Sequence, residues 1–597
     1  MGRKGFGITP ATDGRGESSL PDPSYRRTLT HPVAVIALML GLTFLAYGGS
    51  LRNGFVWDDE TLILNNRWVR DLSLWPDYFT NSESISSNEL IAKTYRPIQT
   101  LSLAVDQRLW KGWPGGFHLT SLLIQTGVCV AVFFLFKNVV GVFPSLVAAI
   151  FFAVHPALSE GVLCLANRGG HLSALFGLTA AGLFLRVERP LDRPHAMATI
   201  AFAIALLAKE PAIALVILLP LVQGTLRRPW PLLSRPSVLL YAPLGITAAI
   251  YLAIRHAVVG SMTVAPWWGG SLGATLQLQA KVFAVYLRLL VWPFHLQGRY
   301  SIEPLRSFPD SAVAAAFLLN GVLLVGAVLG LRKRGALRLV SLAILWFYVA
   351  LLPVSNLIPI PGSMLGERFV YFSFAGMFPL IAGAAALLPL RRYALGFSLA
   401  AIATVAAFVA MDIARTRVWA NETVYFGLLS RQEPTDPVVQ LRTAEVEIRD
   451  GKPELAIRRI EPLLASAGES DLERLRYWFA RALLDVGRLG DARRQLTLIW
   501  NDNPTPNDAL VLLFAETAAR SGDLAAASSA LERATRESAA NDALWNARGN
   551  VAWMSGDLDS AASFYREAVR RNPRNVEAET NLRNVTQAIG GHRSSGR

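Results

Sequence analysis

Apolar runs recur through the first two thirds of the chain, and no water-soluble core can bury so many of them. They lie at about 32–50, 117–136, 142–154, 171–185, 196–208, 211–224, 237–256, 311–331, 336–352, 368–389 and 393–411. A helix of about 20 apolar residues crosses the hydrocarbon layer of a bilayer, where every backbone amide must find its partner inside the segment. Several of these runs are shorter than that, so their bounds stay open. The composition agrees, with 52% hydrophobic residues and a mean hydropathy of +0.34. An all-α, polytopic membrane domain of about eleven spans is expected, over residues 31–415. Residues 1–30 are polar and rich in Gly, Pro and Ser, and are expected as a cytoplasmic tail. The run from Leu29 to Leu51 is longer than a signal-peptide core and is expected to remain as the first span.

A net charge of +14 would suit a nucleic-acid binder, but the excess falls in short basic clusters between the apolar runs, where the positive-inside rule places it. No nucleic-acid partner is expected. Threading the runs with the N-terminus inside sets Lys137, Arg186 to His195, Arg227, Arg228, Arg235, Arg332 to Arg338, Arg391 and Arg392 on the cytoplasmic side. The apolar segment 279–294 would invert everything after it if it crossed, so it is expected to be re-entrant or interfacial. The odd count then puts the loop 51–116, and all residues beyond 412, on the external face. That loop mixes Trp57, Trp68, Trp75, Tyr78 and Trp110 with charges, which suits short helices at the lipid–water boundary. Cys129 and Cys164 are too few for a disulfide framework. Fifty arginines against eight lysines, with abundant alanine, point to a GC-rich genome and hence to a bacterial inner membrane.

After a linker at 416–436 the composition turns amphipathic and alanine-rich. Glycines recur at Gly451, Gly487, Gly522 and Gly556, at the spacing of about 34 residues that marks tetratricopeptide (TPR) repeats. In the last unit Trp545, Gly549, Trp553, Ala561, Tyr565, Ala568 and Pro573 alternate large and small residues as that repeat does. About four repeats are expected over 437–585, as an α-solenoid with a concave face for a protein partner, and a disordered tail at 586–597. A spacer or dimerisation role is the plainer reading.

Just past the first span the chain reads FVWDDE, placing Asp58, Asp59 and Glu60 near the membrane surface. Acids in a first helical turn complement the helix dipole. A positioned carboxylate there also serves as a general base that deprotonates an acceptor hydroxyl. The threading brings Arg96, Arg168, Lys209, Arg299 and Arg368 to the same side or its boundary. Each alone is more often a snorkelling or paired residue, and Lys209-Glu210 and Glu367-Arg368 carry adjacent opposite charges. His155 and Glu160, with His118 and His171, invite a metal reading, but a zinc helix wants His at i and i+4 and position 159 is Ser. Tyr95, Tyr300 and Tyr371 suit either sugar stacking or an aromatic belt.

Six phrases in chain order carry a family resemblance: FVWDDE; TYRPIQTLS with GFHLTSLLIQ; FAVHPALSEGVLCLANRGGHLSALF; LLAKEP; VYLRLLVWPFHLQGRYSIEP; and LPVSNLIPIPGSMLGERFVYFSFAGM. With the repeats after them, they resemble the transmembrane-and-tetratricopeptide O-mannosyltransferases of the GT-C superfamily, over about residues 30–585. The resemblance implies a polyprenyl-phosphate-linked sugar as donor, mannose in that family, and transfer to a hydroxyl outside the cytoplasm. It implies Asp58 as catalytic base with Asp59 in support, without ordering the two. A lipid-phosphate donor leaves a phosphate anion, which asks for cations. The resemblance favours Arg168, Lys209 and Arg368 for that role, beside Arg96 and Arg299. His155, Glu160, Tyr95, Tyr300 and Glu367 are expected to shape the acceptor or sugar pocket, with no catalytic metal and no cofactor.

Neither GxxxxGK[ST] nor GxGxxG occurs, which gives no support to a nucleotide-driven pump or a Rossmann-type nucleotide-sugar enzyme. With the repeats on the side of the acidic pair, a Ser/Thr protein acceptor is favoured over a glycan. The competing class is a non-enzymatic scaffold that uses its repeats to assemble an envelope-polysaccharide or secretion complex.

Overall fold

The computed structural model describes residues 31–87, 94–226, 235–260, 267–300, 310–359, 363–389, 393–465, 468–503 and 506–595. The N-terminal tail and Arg227, Arg228, Arg391 and Arg392 lie outside them. The described residues form helices and turns with no strand among them, and divide into two units at Leu429/Ser430.

The first unit contains α1 (Pro32–Tyr47), α2 (Pro97–Trp110), α3 (Pro114–Phe136), α4 (Val142–Val154), α5 (Arg168–Phe184), α6 (Arg193–Ala208) and α7 (Leu215–Leu226). It continues with α8 (Arg235–Val259), α9 (Leu272–Val291), α10 (Ser311–Gly330), α11 (Ala336–Leu351), α12 (Tyr371–Ala386) and α13 (Ala394–Val418). Proline opens α1, α2 and α3, where its missing N–H costs nothing. Among the described residues eight helices are long and apolar enough to cross a membrane, and nine if α4 and the helix bent 58° away from it count as one span. The chain is a multi-pass membrane protein. Segments α6 and Glu210–Leu226 are apolar but shorter than a full crossing.

α9 is one continuous helix of 20 residues, long enough to cross, yet both its flanks are tied to one end of the unit. Before it, the Trp268 indole donates to Asn356 Oδ1 at 3.1 Å, just beyond α11. At its far end Leu290 O lies 3.2 Å from the ring of His155, which follows α4, and Leu296 O accepts from Arg415 at 3.2 Å. At the same end Asn53 donates to Thr416 O at 2.9 Å and Gly54 N to Ala420 O at 2.8 Å. So α1 and α13 run in the same direction, and the acidic loop begins beside the end of the last apolar helix.

A helix, α14 (Glu422–Gln432), occupies the stretch expected as a linker, and the division between units falls within it. The second unit stacks helix pairs: α15 (Pro437–Arg449) on α16 (Pro453–Ile460), α17 (Glu469–Asp485) on α18 (Leu489–Asp502), α19 (Asp508–Arg520) on α20 (Leu524–Glu537), and α21 (Asp542–Met554) on α22 (Leu558–Arg571). This is a TPR solenoid. Gly451, Gly487, Gly522 and Gly556 each turn the chain with φ between +72° and +85°, which side-chain-bearing residues resist. After two of them an Asp caps the second helix: Asp523 accepts from Ala526 N and Asp557 from Ser560 N, both at 3.0 Å. The last helix, α23 (Val576–Ser595), packs on α22 and carries helix through most of the stretch expected as a disordered tail.

Candidate functional site

The acidic motif sits in a strained bend. Trp57 has φ +61°, uncommon for a residue with a side chain, and such a conformation persists only where its surroundings over-determine it. Glu422 accepts the Trp57 N–H at 3.1 Å, and the indole packs 5.6 Å from Tyr425 and 5.8 Å from Phe426. Residues 416–426 therefore set the direction in which the next residue, Asp58, leaves the backbone.

The two acids have different environments. Asp59 is buried, its Oδ2 accepting from Val56 N at 3.0 Å and its Oδ1 from Ala166 N at 2.7 Å. Burial pushes its carboxyl up to about 7, against the pull of those two amides, with the Asp58 charge adding to the rise. Oδ2 thus closes the acidic loop on itself, and Oδ1 holds that loop on the 164–167 turn, which Gln99 also grips through Ala166 O at 2.7 Å. Asp58 is half-buried, and its charge reaches Arg368. Around Cys164 the charges of Asp59, Asp58, Glu160 and Arg368 converge; burial and the three carboxylates keep that thiol protonated.

Three of the five candidate cations gather here. Arg368 is clasped by Glu160, whose Oε1 takes its guanidinium and Oε2 its backbone N–H, the latter at 2.9 Å. Arg96 pairs with Glu210 at 3.2 Å. Lys209 has a neutral partner, Asn167 Oδ1 at 2.8 Å. Burial first, then the positive charges of Arg96 and Arg368, pull its ammonium down to about 7. Two of the three cations are thus compensated by carboxylates, and the third meets an amide.

Other predicted site residues have structural work. Arg168 is wholly buried, paired with Asp106 on α2 and donating to Phe117 O at 2.7 Å and Ser121 Oγ at 3.2 Å. Its guanidinium is thus enclosed by its own helices, away from the cluster of Arg368, Lys209 and Arg96 that the donor reading rests on. Glu367 is fully buried and saturated by Gln297 N (2.8 Å), the Tyr300 hydroxyl (2.7 Å) and Arg415 (2.8 Å), so neither it nor Tyr300 presents its polar atoms to a sugar. Arg299 lies half-buried in the same 292–300 strap. His155 stands among Phe374, Phe378 and Phe408, at centroid distances of 5.5, 5.1 and 5.0 Å. Tyr95 is buried with its hydroxyl on Phe79 O at 3.1 Å, and Tyr371 is buried with its hydroxyl on Gln125, which fits neither sugar stacking nor a belt. His118 lies against Gly54 O, and His171 packs on Tyr371, so the three histidines serve separate contacts.

Several contributors escape sequence reasoning. Arg415 reaches Ser159 Oγ, Leu296 O and Glu367, fastening three segments, yet in the sequence it reads as a basic flank of the last apolar run. Asn167 and Gln99 are neutral residues inside otherwise recognisable phrases, and only their partners reveal them.

No protein-family model matches the chain. Protein O-mannosyl-transferase TMTC3 of Homo sapiens is 30% identical over 187 residues, which are 30% of this chain and 20% of that protein. Protein O-mannosyl-transferase TMTC1 of Homo sapiens is 33% identical over 192 residues, 30% of this chain and 21% of that one. Protein O-mannosyl-transferase F38B6.6 of Caenorhabditis elegans is 22% identical over 352 residues, 57% and 50% of the two chains. The chain thus spans about a fifth of the length of the two human relatives and half of the nematode one. Among solved structures, TTC0263, a thermophilic TPR protein of Thermus thermophilus, is 17% identical over 33% of this chain and 97% of that one, with a TM-score of 0.25. A score so low carries no argument, and the repeat fold rests on the helix pairs themselves.

Proposed function

We propose that the chain is a membrane glycosyltransferase that moves one sugar, mannose by similarity to the O-mannosyl-transferases, from a polyprenyl phosphate to a hydroxyl. The acceptor is a Ser or Thr of a protein, on the external side of the membrane. The observation that carries this reading is a half-buried carboxylate, Asp58, whose charge reaches Arg368, which with Arg96 acts in turn on Lys209. A base on one side and cations on the other is what displacement at a phosphate-linked sugar requires: the base takes the acceptor proton while the cations hold the departing phosphate. The depressed Lys209 ammonium is suited to an anion, since a phosphate supplies the negative charge that Asn167 does not.

The similarity to relatives named protein O-mannosyl-transferases supports the reaction class, and the TPR solenoid supports a polypeptide acceptor or partner. The acidic loop and the end of α13 lie together, which supports their sharing one side of the membrane; with the basic clusters between the apolar runs, the proposed topology is a bacterial inner-membrane one with the N-terminus cytoplasmic and the repeats external. The test is the intact mass of secreted proteins from cells with and without the gene. Hexose increments that disappear with the gene and return with it support the reading. Identical masses, together with no transfer by purified protein from a polyprenyl-phosphate mannose donor, would leave the scaffold reading in its place.

A further inference from the structure

The segment just after α13 carries a polar group that the reaction above does not use. Tyr425, on α14, is 2% exposed, yet among the described residues its hydroxyl has no hydrogen-bond partner. A buried hydroxyl left unpaired is costly, and a fold that keeps one there calls for a reason. Its surroundings supply it. The charges of Glu160, Arg415 and Arg368 act on this hydroxyl, and burial, reinforced by Glu160, holds it well above the usual tyrosine range, so that it stays a donor. The ring lies 4.5 Å from that of Trp419 and 5.6 Å from Trp57, the residue before Asp58. Gly298 lies directly against the hydroxyl, for a Cβ at that position would run into it.

We propose that Tyr425 is a ligand of the donor, its O–H donating to a phosphoryl oxygen of the lipid phosphate held against Arg368. The proposal rests on the reading of the site as a lipid-phosphate site. In the transfer, the bond between the sugar C1 and the phosphate oxygen breaks and its electron pair stays on the phosphate. The acceptor oxygen bonds to C1 and its proton passes to Asp58. Tyr425 keeps its own proton throughout and stabilises the charge that grows on the phosphate. The site then extends past the last apolar helix, beyond residue 415, into the stretch whose sequence reads as a linker.

The test measures binding of farnesyl phosphate in detergent micelles to the full-length protein and to Tyr425→Phe, with thermal melting alongside. Because the hydroxyl has no partner among the described residues, Tyr425→Phe is expected to leave Tm unchanged while weakening farnesyl phosphate binding about tenfold, as loss of a hydrogen bond to a charged group does. A collapse of Tm in Tyr425→Phe would mean the hydroxyl serves the fold, and overturns the proposal. Wild-type binding that Tyr425→Phe leaves unchanged overturns the Tyr425 assignment alone. No binding by the wild-type protein overturns the lipid-phosphate reading together with it.

Discussion

The carboxylate of Asp59 accepts the backbone N–H of Ala166 at 2.7 Å, across 107 residues of sequence. That bond makes Asp59 a brace of the acidic loop, and the part of base is the one proposed for its neighbour, Asp58.

Asp58→Asn is therefore expected to lower turnover by about 10²–10⁴-fold with little change in Tm, because the amide cannot accept a proton. Asp59→Asn is expected to lower Tm instead. One of its two acceptor oxygens becomes an NH2 group facing an amide N–H, leaving a buried donor unsatisfied at about 1–3 kcal/mol. Turnover and melting of the two variants in detergent read this directly. A stable, inactive Asp59→Asn beside an active Asp58→Asn would reverse the roles.

The same burial gives a pH signature. The Asp59 carboxyl is raised from 3.8 to about 7 in the folded protein. Below 3.8 it is protonated in both folded and unfolded chains; between 3.8 and about 7 the folded chain holds the proton that the unfolded chain has lost. Its contribution to stability is thus greatest at acid pH and is lost as pH rises through about 7. The difference in Tm between wild type and Asp59→Asn, measured across that window, should narrow as pH rises. A difference independent of pH would show that Asp59 does not titrate there.

Arg415 and Glu367 form a buried pair, with side chains 11% and 0% exposed. Arg415→Met is expected to destabilise by about 3–5 kcal/mol, since it strands a buried carboxylate. Adding Glu367→Gln should recover part of that loss. Denaturant unfolding of the two single variants and the double variant tests the coupling, and strictly additive losses would refute it.

Lys209 is expected to bind phosphate only as the ammonium. With its pKa near 7 in the free protein, affinity for a singly charged farnesyl phosphodiester should fall as pH rises through and above that value. Lys209→Arg should remove most of the pH dependence, and Lys209→Met should bind weakly throughout. A wild-type affinity that does not change with pH would take Lys209 out of the phosphate site.

Deleting residues 437–597 should leave farnesyl phosphate binding intact, because the repeats bury their own cores and helical repeats contact mainly their neighbours. Transfer to a protein acceptor should fall steeply, whereas transfer to a short Ser/Thr peptide at high concentration should survive, as a tethering effect predicts. Equal loss on both substrates would give the repeats a part in the active site itself.

The sequence by itself determined the class of this protein and its division. Apolar runs too numerous for water specify a membrane unit, and glycines at a fixed period specify a helical solenoid, because both signals are local: hydropathy acts over a single helix, and a left-handed turn needs glycine wherever it occurs. The acidic loop and most of its cationic partners were also legible, as charges with no reason to sit at a lipid boundary. What each charge does was decided only by the tertiary structure. Arg168 and Lys209 look alike in sequence, and they part because one meets Asp106 from α2 while the other meets the amide of Asn167. Asp58 and Asp59 are adjacent and chemically identical, and they part because a single backbone amide, contributed by a distant turn, reaches one and not the other. The role of a buried charge is set by its partner, and the partners here lie tens to hundreds of residues away, where no local pattern can point to them.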